Sequence, residues 1–398
     1  MRSRAWAIVG ALSVTETVSW GVLYYAFAVF LLPMQHELGF SAAELTGAFS
    51  LALLVSAVVG VGVGRYLDRR GPRGLMTLGS VAGALLVLLW SRVHGLAAFY
   101  ALWIAIGVVM ATVLYEPAFT VVAKWFRSVD ARRRALTAVT LVAALASFIF
   151  LPLAQALIDA HGWRHALVIL AVILAVVTIP LHAVVLRAPD DMRAREESAT
   201  SVAAGDALRS RGFWLLSAAF FLATLTGIAM TVQAIPFLLE QGYTTRFAAF
   251  AVGLIGISQI PGRLLFAPLA TRLPRAYATA SVFALVACGI ALIVGVHSTS
   301  AVLAGFVVLG MGNGMTTLAR ATAMADLYGQ RDYGTIGSFA ALLTTSARAA
   351  GPVAAALWAE TVGYGALLWT LVVLAAAAVP LAYHAERAHA TTTSSARI

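Results

Sequence analysis

Long apolar runs alternate with short polar breaks along the whole chain. A bilayer-spanning helix needs about 20 predominantly apolar residues. Twelve runs reach that length, with cores near 6–32, 44–66, 75–93, 96–122, 135–158, 165–187, 213–238, 247–271, 276–296, 300–327, 334–358 and 364–384. They are about twice as long as the strands of an outer-membrane barrel, which excludes that architecture. The pattern predicts an all-α polytopic membrane protein with twelve transmembrane helices. The first run follows Arg2 and Arg4, as a signal peptide would. It is too long for the apolar core of such a peptide, contains Glu16 and lacks a clear small-residue cleavage site, so it reads as a retained helix.

Composition agrees with the pattern. Hydrophobic residues make up 61% of 398, and charged residues 11%, against about 25% in soluble domains. A water-soluble chain of this length would have to hide most of its side chains, and even large soluble domains keep a mostly polar face. The one cysteine, Cys288, rules out a disulfide framework and reads as inert packing inside an apolar run.

The formal charge is +10, but the positive residues lie between the runs, as topology signals rather than as a nucleic-acid surface. With the N-terminus in the cytoplasm, 21 of the 27 Lys and Arg fall on the cytoplasmic side and 3 on the other, Arg92, Arg164 and Arg246. The remaining three, Arg263, Arg320 and Arg348, fall inside runs. This asymmetry predicts twelve spans with both termini cytoplasmic, in a cell inner (cytoplasmic) membrane. Lys124 is the only lysine among the 27, a scarcity ascribed mainly to genomic base composition.

The longest polar stretch, 188–212, reads as a cytoplasmic linker. It separates an N-terminal six-helix bundle, 1–187, from a C-terminal one, 213–384, and residues 385–398 read as a disordered tail. The halves look related. Pro152 is followed by Gly162 and Trp163, and Pro352 by Gly363 and Tyr364, about 200 residues later. Such recurrence suggests a duplicated six-helix unit.

Between the second and third runs stands GRYLDRRGPR, residues 64–73. Gly64, Asp68, Arg69, Gly71 and Arg73 resemble the signature loop of the major facilitator superfamily. Gly64 suits close helix contact and Gly71 a tight turn. Asp68 is the one acid among four nearby arginines and can pair locally or cap a neighbouring helix. The resemblance implies two pseudo-symmetric six-helix bundles and a loop that latches the cytoplasmic face. The equivalent loop after the eighth run, TRLPR at 271–275, lacks the Asp and Gly, so a second latch is degenerate.

Shorter motifs resemble the monocarboxylate-porter-like branch. They are QIPGR at 259–263, ending in a membrane arginine where those porters place a carboxylate ligand, Trp125-Phe126-Arg127 leading to Arg132–Arg134, and Gly162-Trp163-Arg164. Gln259 stands where the porters often have an acid, and the first run has no lysine. Drug–proton antiporters usually show Gly-Pro in the fifth helix, and here Leu151 precedes Pro152.

Ionisable groups in mid-helix are costly, at about 2.5–3.5 kcal/mol on insertion scales, and mark function by default. The acids Glu16 and Glu116 lie in the first half, and Arg263, Arg320 and Arg348 in the second. Glu16, Trp20, Tyr24 and Phe27 recur at helical spacing, as a cavity-lining stripe with a proton-exchanging acid or as a fixed ion pair with aromatic packing. Thr112, Glu116 and Thr120 share a predicted face, with Pro117 able to kink the helix. Asn313, Thr317 and Arg320 share another. Glu116 and Arg320 are candidates for a gate across the halves, or for two unrelated ion pairs. Pro261 predicts a broken helix beside Arg263, whose planar fork suits a carboxylate or phosphate. Arg348 shares a face with Thr344 and could be the main anion ligand, with Arg263 secondary. Gln233 adds a neutral hydrogen bond or a helix–helix contact.

The histidines form no convincing metal set with an acid, and no phosphate-binding loop of the G-x-x-x-x-G-K type exists, so enzymatic and direct ATP-driven roles lack support. No cofactor is expected. The reading is a monomeric secondary transporter working by alternating access. It would move a small organic anion, most simply a monocarboxylate. Arg263, Arg348, Gln259, Tyr24, Trp20, Gln233 and Asn313 would contact substrate, and Glu16 and Glu116 would couple protons. The alternatives are a proton-coupled exporter of hydrophobic or cationic compounds and a non-transporting membrane sensor.

Overall fold

A computed structural model describes residues 2–187, 202–296 and 298–395, and among these residues there is no strand. Ten helices are long and apolar enough to cross a membrane. Two of them, Val129–Val185 and Tyr333–Glu386, have 57 and 54 residues. At 1.5 Å per residue either would be about 80 Å long, against a hydrocarbon core of about 30 Å. Each contains one non-helical residue, Gly162 (φ 75°, ψ 158°) and Gly363 (φ 82°, ψ 162°). That backbone region is essentially reserved for glycine. Each double-length helix is therefore two spans folded at a glycine, and the described residues contain twelve.

We number the spans α1 (Ser3–Leu38), α2 (Ala42–Arg70), α3 (Arg73–Trp90), α4 (Leu96–Trp125), α5 (129–161), α6 (163–185), α7 (Arg211–Glu240), α8 (Thr245–Arg272), α9 (Arg275–Gly295), α10 (Thr299–Tyr328), α11 (333–362) and α12 (364–395). Local chemistry sets several ends. Gly39 adopts the left-handed conformation that closes α1. Ser41 and Glu44 then open α2 with a reciprocal capping box. Ser210 and Thr244 accept from backbone N–H groups in the first turns of α7 and α8.

The chain forms two compact units. The first holds α1–α6 and, in addition, residues 329–342, the turn before α11 and its opening turns. The second holds residues 203–328 and 343–398. The expected boundaries at 187 and 213 thus miss one exchange, because the first turns of α11 cluster with the first half.

The first unit packs around an aromatic core in which Trp90 and Trp103 meet edge to face at 4.9 Å, with Phe27 and Phe99 against Trp103. Gly107 of α4 lies directly on the Ala52 backbone of α2. In the second unit Gly262 of α8 faces the Met311 backbone of α10, and Gly310 and Gly314 of α10 face Ile255 and Gln259. Small residues let spans approach backbone to backbone where lipid provides no hydrophobic drive. The exposed side chains are strongly apolar, among them Leu78 and Val176 in the first unit and Val353 and Val373 in the second. Such a surface fits hydrocarbon rather than water.

Several local expectations are corrected. The helix does not stop at 384 but continues through Ser395, with Ala385 and Glu386 buried, so a disordered tail from 385 is not seen. Residues 396–398 lie outside the described residues. Of the expected linker, 188–201 lie outside the described residues, while Ala204–Arg209 forms a short helix and α7 already begins at Arg211. Cys288 is exposed rather than packed. Helix α8 passes through Pro261 and Pro268 without leaving helical geometry. Proline removes one donor but does not break a helix whose neighbours hold it, so the expected rupture beside Arg263 is absent.

Replacing Gly162 or Gly363 with alanine is expected to cost about 1–3 kcal/mol each, by forcing a side chain into that glycine-only conformation. Thermal unfolding of the detergent-solubilised protein, followed by gel filtration after heating, should show a lower midpoint for both. Gly365→Ala is the control, since a Cβ there meets no atom within 4 Å.

Candidate functional site

The signature loop makes a dense polar site in the first unit. Gly71 (φ 79°) ends α2 and returns its N–H to the Leu67 carbonyl at 3.2 Å. Asp68, one turn earlier, accepts at Oδ1 from the Gly334 N–H (3.0 Å). Its Oδ2 accepts from the Thr335 N–H (2.7 Å) and the Thr335 hydroxyl (2.8 Å). These N–H groups belong to the first turn of α11, where no intrahelical acceptor exists. A carboxylate there is favoured by both hydrogen bonding and the helix dipole. Gly64, one turn back on α2, lies against the Gly334 backbone, so a side chain there would push the two elements apart.

Lys124 completes the site. Its Nζ lies 3.2 Å from Asp68 Oδ1 and donates to the Leu67 and Asp68 carbonyls at 3.3 and 3.1 Å. Both side chains of this pair are only 7% exposed. Two of the other signature residues behave differently. Arg69 is exposed, and Arg73 donates from Nε to the Ala183 carbonyl of α6 at 2.6 Å. The sequence reading assigned no role to Lys124 or Thr335. The solitary lysine at the end of an apolar run is the available signal.

A second polar centre in the first unit surrounds Glu16, which is fully buried. Its Oε2 accepts from Trp20 Nε1 at 3.0 Å, while Oε1 has no hydrogen-bond partner. Just beyond it α1 winds into a π-helical segment, Gly21–Tyr25, with the Phe150 ring against Gly21. Such segments recur at functional sites. Trp20 contacts the rings of Tyr24 (5.0 Å) and Tyr115 (4.8 Å), and Tyr115 stacks on Phe119. Tyr115 was not foreseen, although the run Tyr-Glu-Pro places it one residue from the acid.

The predicted face of Thr112, Glu116 and Thr120 is not continuous. Leu114 is extended (φ −92°, ψ −165°), and a new helical segment starts at Tyr115. Glu116 therefore sits in a helix first turn, a favourable place for a carboxylate. Pro117 is there too, where its missing N–H costs no helical bond.

In the second unit Arg263 is buried on α8, and its Nη2 donates to Gln259 Oε1, one turn away, at 3.3 Å. Arg320 and Gln233 are buried on α10 and α7. Asn313 of α10 lies against Gly227 of α7. Arg348 is half-buried on α11. The loop that answers the signature loop keeps Arg275, whose Nε donates to Glu386 Oε2 at 3.0 Å and whose Nη1 donates to the Asp326 carbonyl. Arg73 and Arg275 thus both tie the start of one helix to the end of the helix three further on, α3 to α6 and α9 to α12. Ala270 stands where the first loop has Asp68, so the carboxylate cap has no counterpart in TRLPR. The described residues contain no group of His, Cys, Asp or Glu fit to hold a metal ion.

The Asp68–Lys124 pair yields a stability prediction. Removing one partner of a buried pair costs about 3–5 kcal/mol, because the other charge is stranded. Asp68→Asn and Lys124→Met should each lower the unfolding midpoint. The double variant should lose less than the sum of the two, with a coupling of about 0.5–3 kcal/mol. Additive losses in a thermal double-mutant cycle would show that the two side chains do not act as a pair.

Comparison with known proteins agrees with this architecture. The oxalate:formate antiporter of Oxalobacter formigenes is 26% identical over 219 residues, 54% of this chain and 51% of that protein. An MFS-type efflux pump of Mycolicibacterium smegmatis is 30% identical over 280 residues, 66% of this chain and 62% of the pump. The match therefore spans about half to three-fifths of these relatives' lengths. Among solved structures, the human organic anion transporter MFSD10 (TETRAN) superposes with a TM-score of 0.73 at 17% identity, covering 95% of this chain and 99% of that one. The transporter FucP, in its outward conformation, gives 0.72 at 13% identity over 95% and 98%. At these identities the likeness is one of fold. The Major Facilitator Superfamily profile matches residues 12–352, and the chain is accordingly a multi-pass membrane protein belonging to the major facilitator superfamily.

Proposed function

We propose that this transporter moves a small organic anion, most simply a monocarboxylate, coupled to protons by alternating access. It would act as a monomer in the cytoplasmic membrane, with both termini inside. One observation carries the substrate class: the second unit holds Arg263 and Arg320 buried and Arg348 half-buried on three of its spanning helices. Arginine is expensive in such helices and is kept there for charge recognition. A guanidinium fork matches a carboxylate in two hydrogen bonds. The relative that exchanges oxalate and formate handles substrates of this class.

In this reading Arg263 and Arg348 bind the anion. Gln259, Gln233 and Asn313 supply neutral hydrogen bonds, and Trp20 and Tyr24 line the route. Glu16 is the seat of the coupling proton, because its unpartnered Oε1 is buried and a proton there removes a charge that nothing bonded to that oxygen offsets. The Asp68 cap on α11 is the latch of the state in which it is made.

A second reading has its own support. The carboxylate of Glu16 beside Trp20 and Tyr115 is also a plausible seat for an organic cation, and one relative is an efflux pump. The two readings differ in a direct assay. Proteoliposomes should accumulate radiolabelled monocarboxylate under an inward proton gradient and should not drive efflux of a cationic dye. Dye efflux without anion uptake reverses the assignment.

Two variants test the residue roles. Arg263→Ala should reduce anion uptake at least tenfold while leaving gel-filtration behaviour intact, and wild-type uptake would remove Arg263 from the binding site. Glu16→Gln should retain anion exchange under equal pH on both sides but lose accumulation driven by a proton gradient. Accumulation at the wild-type level would move the coupling proton elsewhere.

A further inference from the structure

The second unit contains a cavity of about 320 Å³ where α7 ends and α12 begins. Its walls are Phe237, Leu238, Ile293, Val302 and Trp369, from four different helices. None of Gln233, Arg263, Asn313, Arg320 and Arg348 lines it, so it lies apart from the proposed anion site. Among the described residues no charged side chain lines it either. A carboxylate or an organic cation would find no counter-charge among them, and its desolvation would go uncompensated. The volume is at the low end for small-molecule sites, about 300–1,000 Å³, which suits one flexible apolar chain.

The mouth identifies where that chain comes from. Trp369 is about half exposed, as are Val296 beside it and Val362 earlier in the chain, and Val373, one turn further along α12, is more exposed still. The cavity therefore opens onto the same apolar face that the protein turns to hydrocarbon. A tryptophan at the end of a span is a common interfacial feature. The rim offers acceptors. Helix α9 ends at Gly295 with Val296 extended (φ −122°, ψ 115°), and the last four carbonyls of a helix have no intrahelical donor. Gln241 and Tyr243 stand at the same edge.

We propose that this cavity is a lipid site that takes one acyl chain of a membrane phospholipid, with hydroxyl or ammonium donors of the headgroup meeting the α9 carbonyls and Gln241. An acyl chain already lies in hydrocarbon, so what the walls supply is packing contact that an unfilled cavity lacks. The acceptors set the depth at which the chain stops. Gly365 lines the wall and has open space where a Cβ would be, so it is the position at which added bulk is tested.

The test uses the full chain in liposomes containing phosphatidylethanolamine with a diazirine near the end of one acyl chain. After irradiation, adducts are mapped by peptide mass spectrometry. The expected result is labelling of segments 237–243 and 365–369 that saturates as the probe fraction rises. Labelling around the exposed Val172 and Val176 of α6 should rise linearly. Gly365→Phe should cut the cavity adducts at least fivefold and leave those on α6 unchanged. Cavity labelling that tracks α6 without saturating, or that survives Gly365→Phe at the wild-type level, overturns the proposal. Should that variant not fold, saturation in the wild-type protein decides the question alone.

Discussion

A polar group inside hydrocarbon has no water to fall back on, and most of this structure follows from that constraint. Backbone groups meet it by being helical, which is why the described residues contain no strand. Where the helix must end, the orphaned N–H groups need another acceptor. Asp68 provides one for α11, and Lys124 then neutralises the acid. The chain of dependence is local: a helix end requires a carboxylate, the carboxylate requires a buried cation, and the cation fastens to the carbonyls of Leu67 and Asp68. Gly64 and Gly71 set the backbone that allows it.

The two halves show how a duplicated backbone diverges in its chemistry. Gly162 and Gly363 share nearly the same dihedral angles at corresponding folds. Arg73 and Arg275 make the same kind of tie between corresponding helices. Around that common frame the charges part. Within the spans the first half keeps Glu16 buried beside Trp20, with Glu116 half-buried, and the second keeps Arg263 buried beside the neutral amide of Gln259. A permanent charge in a span is tolerated only with local compensation or a functional reason. The proposed function divides labour between the halves, with proton chemistry assigned to one and anion recognition to the other.

Prolines and glycines had opposite value as structural markers. Pro261 suggested a rupture, and α8 absorbed it, because one missing bond is a small loss in a helix packed against α10 through Gly262. Leu114 carried no warning, yet the chain breaks there, a few residues before Pro117. A proline reports a lost donor, and where the strain emerges depends on which neighbouring turn is less well held. Gly162 and Gly363 were more reliable, since their backbone angles exclude other residues.

Twelve apolar lengths, the signature loop, the repeat and the sorting of acids and arginines into separate halves were all readable from residue order alone. Each rests on local chemistry: segment length against bilayer thickness, glycine at a tight turn, and the cost of charge in hydrocarbon. Tertiary structure decided everything that depends on distant partners. It joined Asp68 to Gly334 and Thr335, some 266 residues away. It gave Lys124 a partner in Asp68, left Oε1 of Glu16 without a donor, and carried the final helix past its expected end, with Glu386 held by Arg275. Hydrophobic pattern reports which segments leave water. It carries no record of which polar groups, brought together from far along the chain, satisfy one another once water is gone.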